Sequence, residues 1–570
     1  MIEITESHAR GVEPDDRQTV TTPGGQRAHR LHVAQSERVA RKFFAVGDDA
    51  WCLVGNGLAN QTFVRGPEGI IAIDTGESIE EMRAAIAALR EVTGEPIVAV
   101  VYTHFHYVAG TQAVLDEAGA DTPIWGHAMI DANRSRAQGE IGPTYIRGVI
   151  EQFGIALPSE GDDAVVNVGL GQAWHNAEHA PFTSGYVAPT HTFDADTTIS
   201  VAGLELQITL APSDADDSVT IWFPELELAV HNIVWPVLFN VFAIRGEEYR
   251  DPCILLSGMD HLHGLSAEHL IGTHGPPMSG RDEIAARVTR SRDAIQFLWD
   301  QTVRWTNRGA TGPELAHLVV LPECYDDDYL TQQLYGLVEH HTRQIRSGLF
   351  GFFDGDPQQL LPLPPALRSE RFIDAMGGRD AVRDRVRAAL DDDVRWSLEL
   401  AGILAAAADA QSEDRELLAA ALRVAARRTT AANIRNWCLT RARDVEGTGD
   451  LSLMRAHRFN REQVLDWPAT TAVHMLRVLV DPRLLSGVNL HLCVELDEDR
   501  AGLHFRNAIA CPTDGAGAEA TLHTKHATWA ELLDGTLALG DAIGDARVTI
   551  DGDVAAVRAA LRCIDLPAFR

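Results

Sequence analysis

Two histidines one residue apart, His104 and His106, closely follow an apolar, β-branched run from Ile97 to Val101. Side chains alternate between the two faces of a strand, so residues i and i+2 point in the same direction. The two imidazoles are therefore expected to converge on one point just beyond the end of the strand. Because imidazole is the commonest metal-binding side chain in proteins, this pair is the first candidate for a metal site.

Three further candidate ligands also follow segments with strand character. Asp214 lies in an acidic loop after Leu204–Leu210, His231 ends the strand-like segment 226–230, and His274 follows another apolar run. Each of these residues alone is more often structural. Together with the histidine pair they place five ligand-type side chains at strand-to-loop junctions, and this pattern predicts a shared metal site.

Part of this pattern resembles a known family. Residues 103–106, Thr-His-Phe-His, are similar to the first metal motif of the metallo-β-lactamase superfamily, T-H-x-H-x-D-H, but its Asp and second His are replaced by Val108 and Ala109. Residues 70–76 resemble the strand-ending I-D-T-G of the same superfamily. That resemblance implies that Asp74 lies near the metal and orients a ligand histidine; a turn or helix-capping role is the alternative.

Later segments resemble one branch of that superfamily, the alkyl sulfatases. Residues 245–252 are similar to its R-G-x-x-x-R-D stretch, and residues 335–340 and 351–357 match its linker signature. Residues 376–378 and 435–437 also match. The resemblance covers nearly the whole chain, and Gly-Phe-Phe-Asp-Gly-Asp-Pro at 351–357 is its most specific part.

The resemblance implies an α/β fold with three parts, and 570 residues are enough for about three domains. These are a metallo-β-lactamase αββα sandwich (residues 1–290), an all-α dimerisation domain (291–445) and a C-terminal α+β domain resembling sterol carrier protein (446–570). The residues agree, because apolar faces at helical spacing predict four antiparallel helices at 380–390, 394–408, 413–427 and 431–445. The family implies a homodimer. In that family the C-terminal domain offers an apolar groove for the alkyl tail of the substrate. The alternative is a packing module that binds no ligand.

The departures from the family motif concern the metal ligands. Alkyl sulfatases hold two zinc ions: one uses the H-x-H pair and the residue corresponding to Asp214, and the other uses the missing Asp-His and a histidine matching His274. A Glu that bridges both ions is replaced here by His231. Val108 and Ala109 cannot bind a metal, and a neutral imidazole offers one lone pair where a carboxylate offers two oxygens. We therefore expect the second site to be lost.

The remaining candidates predict one divalent metal ion in a histidine-rich site. The expected ligands are His104, His106 and His231, with Asp214 or His274. Zinc is the expected ion, because three histidines and an open position suit a zinc that lowers the pKa of water to about 7. Histidines with one carboxylate suit iron or manganese nearly as well.

Four residues near these ligands are candidates for other roles. Asp214, if it is not a ligand, is the expected general base. Arg245 and Arg250 can hold an anionic group such as sulfate, because guanidinium forks match oxyanions; salt bridges on an acidic surface are the alternative. Tyr107 can donate a proton, or fill the space of the missing second site, which we favour.

Three functions are consistent with these residues. The first is a metal-dependent hydrolase of alkyl-sulfatase architecture that acts on an ester, such as an alkyl sulfate. The second is a mononuclear metalloenzyme with redox or lyase chemistry on the same scaffold. The third is a non-catalytic relative that binds a lipid or an anion. His231 argues against the third function, because it is a new metal-binding side chain at a ligand position of the family.

The composition limits the partners. A formal net charge of −32 argues against nucleic acid and against anionic membranes. The N-terminus has no basic region followed by an apolar run, so neither a signal peptide nor membrane insertion is expected, and residues 1 to about 35 are expected to form an extended arm. Seven scattered cysteines without C-x-x-C spacing predict buried, reduced thiols in a cytoplasmic protein.

Overall fold

The computed structural model of the protein describes residues 11–449, 451 and 459–570. Contacts between residues divide the chain into two compact units, one of Met1–Asp131 with Gly148–Asp450 and one of Ala132–Arg147 with Leu451–Arg570. The helix Arg281–Thr306 spans the first predicted domain boundary, between residues 290 and 291. The second predicted boundary, between 445 and 446, lies at the last residue of the helix Ala432–Glu446.

Seven strands form the first sheet of the first unit. In spatial order they are Lys42–Val46, Ala50–Val54, Gln61–Gly66, Gly69–Ile73, Ile97–Val101, Ile124–His127 and His191–Phe193. The first four strands pair antiparallel, and from Gly69–Ile73 onward the neighbours are parallel. Gly69–Ile73 and Ile97–Val101 are almost wholly buried, as their continuous apolar sequences require. Because these two strands are parallel, their carboxyl ends meet at one edge.

Six strands form the second sheet. In spatial order they are Thr197–Val201, Leu204–Leu210, Val219–Phe223, Leu228–His231, His269–Gly272 and Met278–Ser279. The predicted hairpin around Gly203 is present, and Leu204–Leu210 begins with alternating buried and exposed residues. Leu228–His231 and His269–Gly272 are parallel neighbours, so they too deliver the residues that follow them to a common edge.

The two sheets face each other across one buried apolar cluster. This cluster includes Ile71 from the first sheet and Val230 from the second. The helix Ile79–Arg90 contacts strands of the first sheet, and the helix Pro252–Gly264 shares a second apolar cluster with Leu270 of the second sheet. The predicted αββα sandwich is confirmed by this arrangement.

The N-terminal segment differs from the predicted extended arm. Its elements are Thr19–Thr21, Arg27–His29 and the helix Arg30–Arg38; residues 1–10 lie outside the described residues. The Asp16 carboxylate pairs with Arg427 and Arg428, each at 2.8 Å. These ion pairs fasten the segment to a distant helix, and a sequence pattern that reports local periodicity does not reveal them.

The second half of the first unit is helical. Its helices are Arg281–Thr306, Gly312–Leu318, Val338–Phe350, Pro357–Leu360, Pro365–Ala375, Arg379–Ala389, Val394–Ala406, Ser412–Arg428 and Ala432–Glu446. The last four match the four predicted helices to within two residues at each end, and they pack through apolar side chains such as Val386 and Leu404. The remaining helices that lie wholly or partly in this unit are Thr111–Ala118, Ile130–Gln138 and Gly142–Phe153.

The second unit contains a five-stranded sheet. Its spatial order is Ile509–Thr513, Asp499–Arg506, Leu490–Leu496, Ala520–Thr524 and Val548–Asp551. Of the described helices, five lie wholly in this unit: Arg461–Asp466, Ala469–His474, His526–Asp534, Leu539–Gly544 and Val554–Leu561. The fully buried Trp529 lies in the core, and its indole N–H donates to the Ala472 carbonyl at 3.0 Å. This architecture confirms the predicted C-terminal α+β fold.

All seven cysteines carry free thiols, as predicted, although Cys253 and Cys324 are exposed. The prediction that every cysteine is buried is therefore wrong for these two, which lie on a helix and a 3-10 turn, and Cys511 is only half-buried. In the part of the chain that the structure describes, every helix is too short or too polar to cross a membrane.

Candidate metal centre

The histidine pair lies where the strand Ile97–Val101 leaves the first sheet. The backbone remains extended at His104 and then forms a single 3-10 turn, Phe105–Tyr107, which carries His106. The ring centroids of His104 and His106 are 5.0 Å apart and the rings are nearly perpendicular. The two imidazoles thus converge as predicted, but the 3-10 turn, and not the alternation of a strand, places His106.

Asp214 completes a group of three possible ligands. Its Oδ2 lies 2.8 Å from His106 Nδ1 and 3.4 Å from His104 Nε2. The acidic loop reaches the pair because the Val219 N–H donates to the Thr103 carbonyl at 3.0 Å. Among the described residues, His104, His106 and Asp214 form the group whose possible ligand atoms all lie within 4.8 Å of one another.

A chain of hydrogen bonds orients His104. The Thr103 hydroxyl donates to Asp74 Oδ2 at 2.6 Å, and the Thr103 N–H donates to Asp74 Oδ1 at 2.8 Å. The Thr103 oxygen, whose proton points at Asp74, then accepts from His104 Nδ1 at 2.9 Å. This order of donors leaves the lone pair of His104 on Nε2, the nitrogen that faces Asp214. Asp74 thus acts on the histidine through Thr103, while burial raises the pKa of its carboxyl to about 6.

The structure does not bring His231 into the group of three. Its Nδ1 accepts hydrogen bonds from the backbone N–H groups of Ile233 and Val234, at 3.1 and 3.3 Å. A neutral imidazole that accepts at Nδ1 carries its proton on Nε2, so neither nitrogen offers a lone pair to a metal in this arrangement. Burial lowers the pKa of His231 to about 3, which keeps the ring neutral.

His274 faces Tyr107 instead of the histidine pair. Its Nδ1 donates to the Leu58 carbonyl at 3.0 Å, so its lone pair is on Nε2, and the Tyr107 hydroxyl lies 3.4 Å from that atom. Burial raises the pKa of Tyr107 well above 10, which keeps the phenol protonated as a donor. The hydroxyl of Tyr107 therefore lies against the lone pair that a second metal would require.

The two candidate arginines, Arg245 and Arg250, both lie beside the candidate metal ligands, and both are buried. The Arg250 guanidinium forms an ion pair with Asp214, and its Nη1 donates to the Asn240 carbonyl at 2.6 Å. Arg245 Nη1 lies 2.7 Å from Glu247 Oε2. Both arginines thus form salt bridges, as the alternative expected, but with carboxylates of the site and not on the exposed surface; binding of an anionic group stays a prediction.

Glu247 is a site residue that the sequence analysis missed. It occupies a variable position of the R-G-x-x-x-R-D stretch, and only its place two residues after Arg245 hinted at a role. Its Oε2 lies 3.5 Å from His106 Nε2, on the opposite side of that ring from Asp214. Burial raises the pKa of Glu247, but Arg245 and His106 outweigh burial and bring it to about 2.

The charges in this site are balanced by direct contacts. Burial alone raises the pKa of Asp214, but Arg250 and His106 hold it well below its usual range, so the carboxylate is ionised. Burial also lowers the pKa of His106, but Asp214 and Glu247 together raise it above its usual value. Two carboxylates thus make the surroundings of this ring favourable for a positive charge, whether from a proton or from a metal ion.

The donor set fits a divalent cation. Imidazole nitrogens with a carboxylate oxygen are ligands of zinc, iron and manganese. Ligand atoms of a tetrahedral zinc, each about 2.0–2.1 Å from the ion, are roughly 3.3 Å apart. The distance of 3.4 Å between His104 Nε2 and Asp214 Oδ2 matches this spacing. His104 and Asp214 would therefore hold a metal with little movement, and His106 lies beside them.

Val108 and Ala109 occupy the positions of the missing family ligands. Both lie against Gly76: Val108 forms a β-bridge with it, and the Ala109 N–H donates to its carbonyl at 3.0 Å. Their side chains carry no ligand atom. These two backbone-bonded positions beside the histidine pair therefore cannot bind a metal.

Two families of known proteins match this chain by sequence. Residues 54–228 match the metallo-beta-lactamase superfamily, and residues 311–448 match the alkyl sulfatase dimerisation family. A linear primary-alkylsulfatase from Pseudomonas sp. (strain ATCC 19151) is 32% identical over 525 residues, which cover 88% of this chain and 98% of the relative. An (R)-specific secondary-alkylsulfatase from Pseudomonas sp. is 30% identical over 432 residues, covering 73% of this chain and 64% of the relative.

Solved structures give the same result for the fold. The chain is similar to a double mutant of the sec-alkyl sulfatase PisA1, with a TM-score of 0.84, 25% identity, and coverage of 97% of this chain and 88% of the other. It is also similar to the stereoselective inverting sec-alkylsulfatase Pisa1 from Pseudomonas sp., with a TM-score of 0.82 and 24% identity over 98% of this chain and 93% of the other.

Proposed function

This chain belongs to the alkylsulfatase family of the metallo-β-lactamase superfamily, and from that premise we propose that it hydrolyses an alkyl sulfate with a single bound metal ion. Membership of the family makes it a metal-dependent hydrolase. The observation that carries the single-ion proposal is the convergence of His104, His106 and Asp214 within 4.8 Å. A bound divalent cation would act here as a Lewis acid on the substrate.

Three observations support one ion instead of two. Val108 and Ala109 carry no ligand atoms. The Nδ1 lone pair of His231 is occupied by backbone N–H groups, and the His274 lone pair faces the Tyr107 hydroxyl. We therefore assign Tyr107 to filling the second site. Zinc is the proposed ion, and iron or manganese fits the donor set as well.

The two arginines have different proposed roles. Arg250 directs its Nε, Nη1 and Nη2 to Asp214 and Asn240, so we assign it to holding Asp214 in place. Arg245 lies beside the histidine pair in contact with Glu247, and we propose that it binds the sulfate group through its planar fork. Arg250 helps to hold the pKa of Asp214 well below its usual range. The carboxylate is therefore a weak base at neutral pH, and it suits a metal ligand better than a general base.

A patch of exposed apolar side chains supports the proposed homodimer. It consists of Leu349, Phe350, Phe352, Phe353, Leu360, Leu361, Leu363, Leu367 and Phe372, and we call it the 349–372 patch. Phe352 is 76% exposed and Leu361 is 85% exposed. Contiguous apolar surface of this kind marks an interaction site. It lies within residues 311–448, which match the alkyl sulfatase dimerisation family, and we propose that a second copy of the chain covers it.

We propose that the second unit binds the alkyl tail of the substrate. A cavity of about 640 Å³ within this unit is lined by Ile141, Met475 and Pro512, among others. Polar side chains, including Arg136, Glu140 and Arg477, line the same cavity, so an alkyl tail would contact only its apolar part. The sterol-carrier-like relationship and the three-domain division with boundaries at 290 and 445 stay predictions.

The site also favours a second candidate function. Two histidines and one carboxylate form the ligand set of non-haem iron oxygenases, which keep open positions for oxygen and substrate. His104, His106 and Asp214 have this composition. An oxygen-dependent reaction on the same scaffold is therefore the alternative to hydrolysis.

An assay of sulfate release tests the proposed function. Protein loaded with zinc, iron or manganese is incubated with dodecyl sulfate, and inorganic sulfate and oxygen consumption are measured together. We expect sulfate release without oxygen consumption, and we expect it to be lost in His106→Ala but not in His263→Ala, whose side chain is exposed. Turnover that consumes oxygen would favour the second candidate, and no sulfate release with any of the three metals would refute the proposal.

A further inference from the structure

We propose that Gly148 and Gln152 are positioning residues, which hold the main chain of Arg245 so that its guanidinium is directed at the sulfate group. This inference rests on the proposed function, because it assumes that Arg245 binds the sulfate. Both residues lie on the helix Gly142–Phe153, four positions apart and therefore on the same face. Neither is among the candidate site residues that the sequence predicts.

Gly148 lets the helix touch the main chain of Arg245. A Cβ atom at position 148 would lie 2.2 Å from the Arg245 carbonyl oxygen and 2.7 Å from its Cα, closer than non-bonded atoms approach. Glycine in the middle of a helix is less favourable than alanine. The close contact with Arg245 accounts for a glycine at this position, because a side chain would push the two segments apart.

Gln152 bonds to Arg245 one turn further along the helix. Its Oε1 accepts from the Arg245 backbone N–H at 3.3 Å, and its Nε2 donates to the Tyr335 hydroxyl at 3.0 Å. Because a backbone N–H can only donate, the amide oxygen must face Arg245, which leaves the amide N–H for Tyr335. All three residues are buried. Loss of the Gln152 amide would therefore leave a buried N–H of Arg245 without its acceptor.

Tyr335 fixes the other end of the Gln152 amide. Its backbone carbonyl accepts from the Asn433 N–H at 3.2 Å, and its ring meets Trp235 edge-on, with the ring centroids 5.8 Å apart. Burial raises the pKa of Tyr335, so the phenol stays neutral. The Gln152 side chain is thus held between a fixed hydroxyl and the main chain of Arg245.

Arg245 is consequently held at both ends. The helix holds its main chain, and Glu247 Oε2 lies 2.7 Å from Nη1 of its guanidinium. An arginine recognises an oxyanion through a planar fork of N–H groups, so the direction of the fork matters as well as its charge. A side chain that is already held in its binding conformation loses less entropy when the ligand binds. The support of the main chain should therefore strengthen sulfate binding.

The affinity for dodecanesulfonate, which has no ester bond to hydrolyse, tests the role of Gln152. Full-length protein loaded with zinc is titrated calorimetrically with this anion below the concentration at which it forms micelles. Gln152→Met removes both hydrogen bonds at similar volume and should weaken binding by about 2- to 10-fold, the effect of one lost neutral hydrogen bond. Gln301→Met is the matched control and should bind as the wild type does, because the Gln301 amide meets Arg304 at the surface of another helix.

Gly148→Ala tests the close contact independently and serves if Gln152→Met fails to fold, as judged by circular dichroism. The new methyl group must displace the main chain of Arg245, so the affinity for dodecanesulfonate should fall as well. Gly402→Ala is its matched control, because Gly402 also lies inside a helix, Val394–Ala406, but a Cβ there meets no atom within 4 Å. We expect wild-type affinity in this control.

Steady-state hydrolysis of dodecyl sulfate separates positioning from a merely structural role. Loss of binding alone raises KM and leaves kcat unchanged, and we expect this result for Gln152→Met. A lowered kcat with an unchanged KM, or wild-type affinity for dodecanesulfonate in either folded variant, would overturn the assignment and leave the proposed function intact. A wild-type protein that neither binds dodecanesulfonate nor releases sulfate would overturn both.

Discussion

At the scale of single residues, the most consequential contact is the one between Asp74 and Thr103. The two hydrogen bonds from Thr103, at 2.6 and 2.8 Å, determine that His104 donates from Nδ1 and keeps its lone pair on Nε2. A buried network of this kind is effective only if every member is satisfied. Asp74 is therefore expected to control metal affinity although it is not itself a ligand.

Asp74→Asn should lower metal affinity by about 10- to 100-fold, because Thr103 loses its charged acceptor and His104 loses its fixed tautomer. The affinity for Zn²⁺ is measured by competition with a chelator, and thermal unfolding reports on the fold. Asp49→Asn is the matched control, because Asp49 pairs with Arg65 near the surface, away from the histidines. Wild-type affinity in a folded Asp74→Asn protein would show that Asp74 only supports the turn.

The sequence predicted some site residues better than others. The convergence of His104 and His106 could be predicted from their spacing after a strand, although a 3-10 turn and not strand alternation produces it. The orientation of His231 could not, because it depends on the backbone N–H groups that follow the strand. Glu247 was also missed, because its meeting with His106 depends on how a long loop folds back on the site. Contacts between distant segments have no local periodicity to reveal them.

At the scale of secondary-structure elements, the 349–372 patch is the feature that the isolated chain leaves unexplained. Leu360, Leu367 and Phe372 belong to the helices Pro357–Leu360 and Pro365–Ala375, and the other residues lie at the end of Val338–Phe350 or between these helices. Burying a large apolar side chain contributes about 1.5–3 kcal/mol. If a second copy of the chain covered the patch, each side chain buried at the interface would contribute this free energy to association.

Phe352→Asp combined with Leu361→Asp should dissociate the proposed dimer. Loss of two buried apolar contacts costs about 3–6 kcal/mol, which weakens association by roughly 100-fold or more. Light scattering after size-exclusion chromatography measures the mass, and Val92→Asp, an exposed apolar site elsewhere, is the control. A wild-type protein that is monomeric, or a double variant that remains dimeric, would disprove the role of this patch.

Elements with strong periodicity were predicted most accurately. The four helices between Arg379–Ala389 and Ala432–Glu446 show repeated apolar faces, and their ends match the prediction closely. The strand Ile509–Thr513 was missed, because it is short and its burial pattern is mixed. Local patterns therefore predict long elements well and short edge elements poorly.

At the scale of the whole molecule, a buried site of paired charges lies within a chain of strongly negative net charge. The net charge is −32, yet Arg245 and Arg250 are buried beside the candidate ligands. An acidic exterior repels an anionic substrate over roughly 8 Å at physiological salt, so the site itself must provide the attraction. A divalent metal ion bound at His104, His106 and Asp214 would provide it.

Metal content per chain is the most direct test of the central claim, that one ion binds at His104, His106 and Asp214. The full-length protein is purified without added metal, reconstituted with zinc, and analysed by elemental mass spectrometry beside His106→Ala and the control His263→Ala. The account predicts one equivalent in the wild type and in the control, and loss of the metal in His106→Ala. Two equivalents in the wild type, or none, would contradict it.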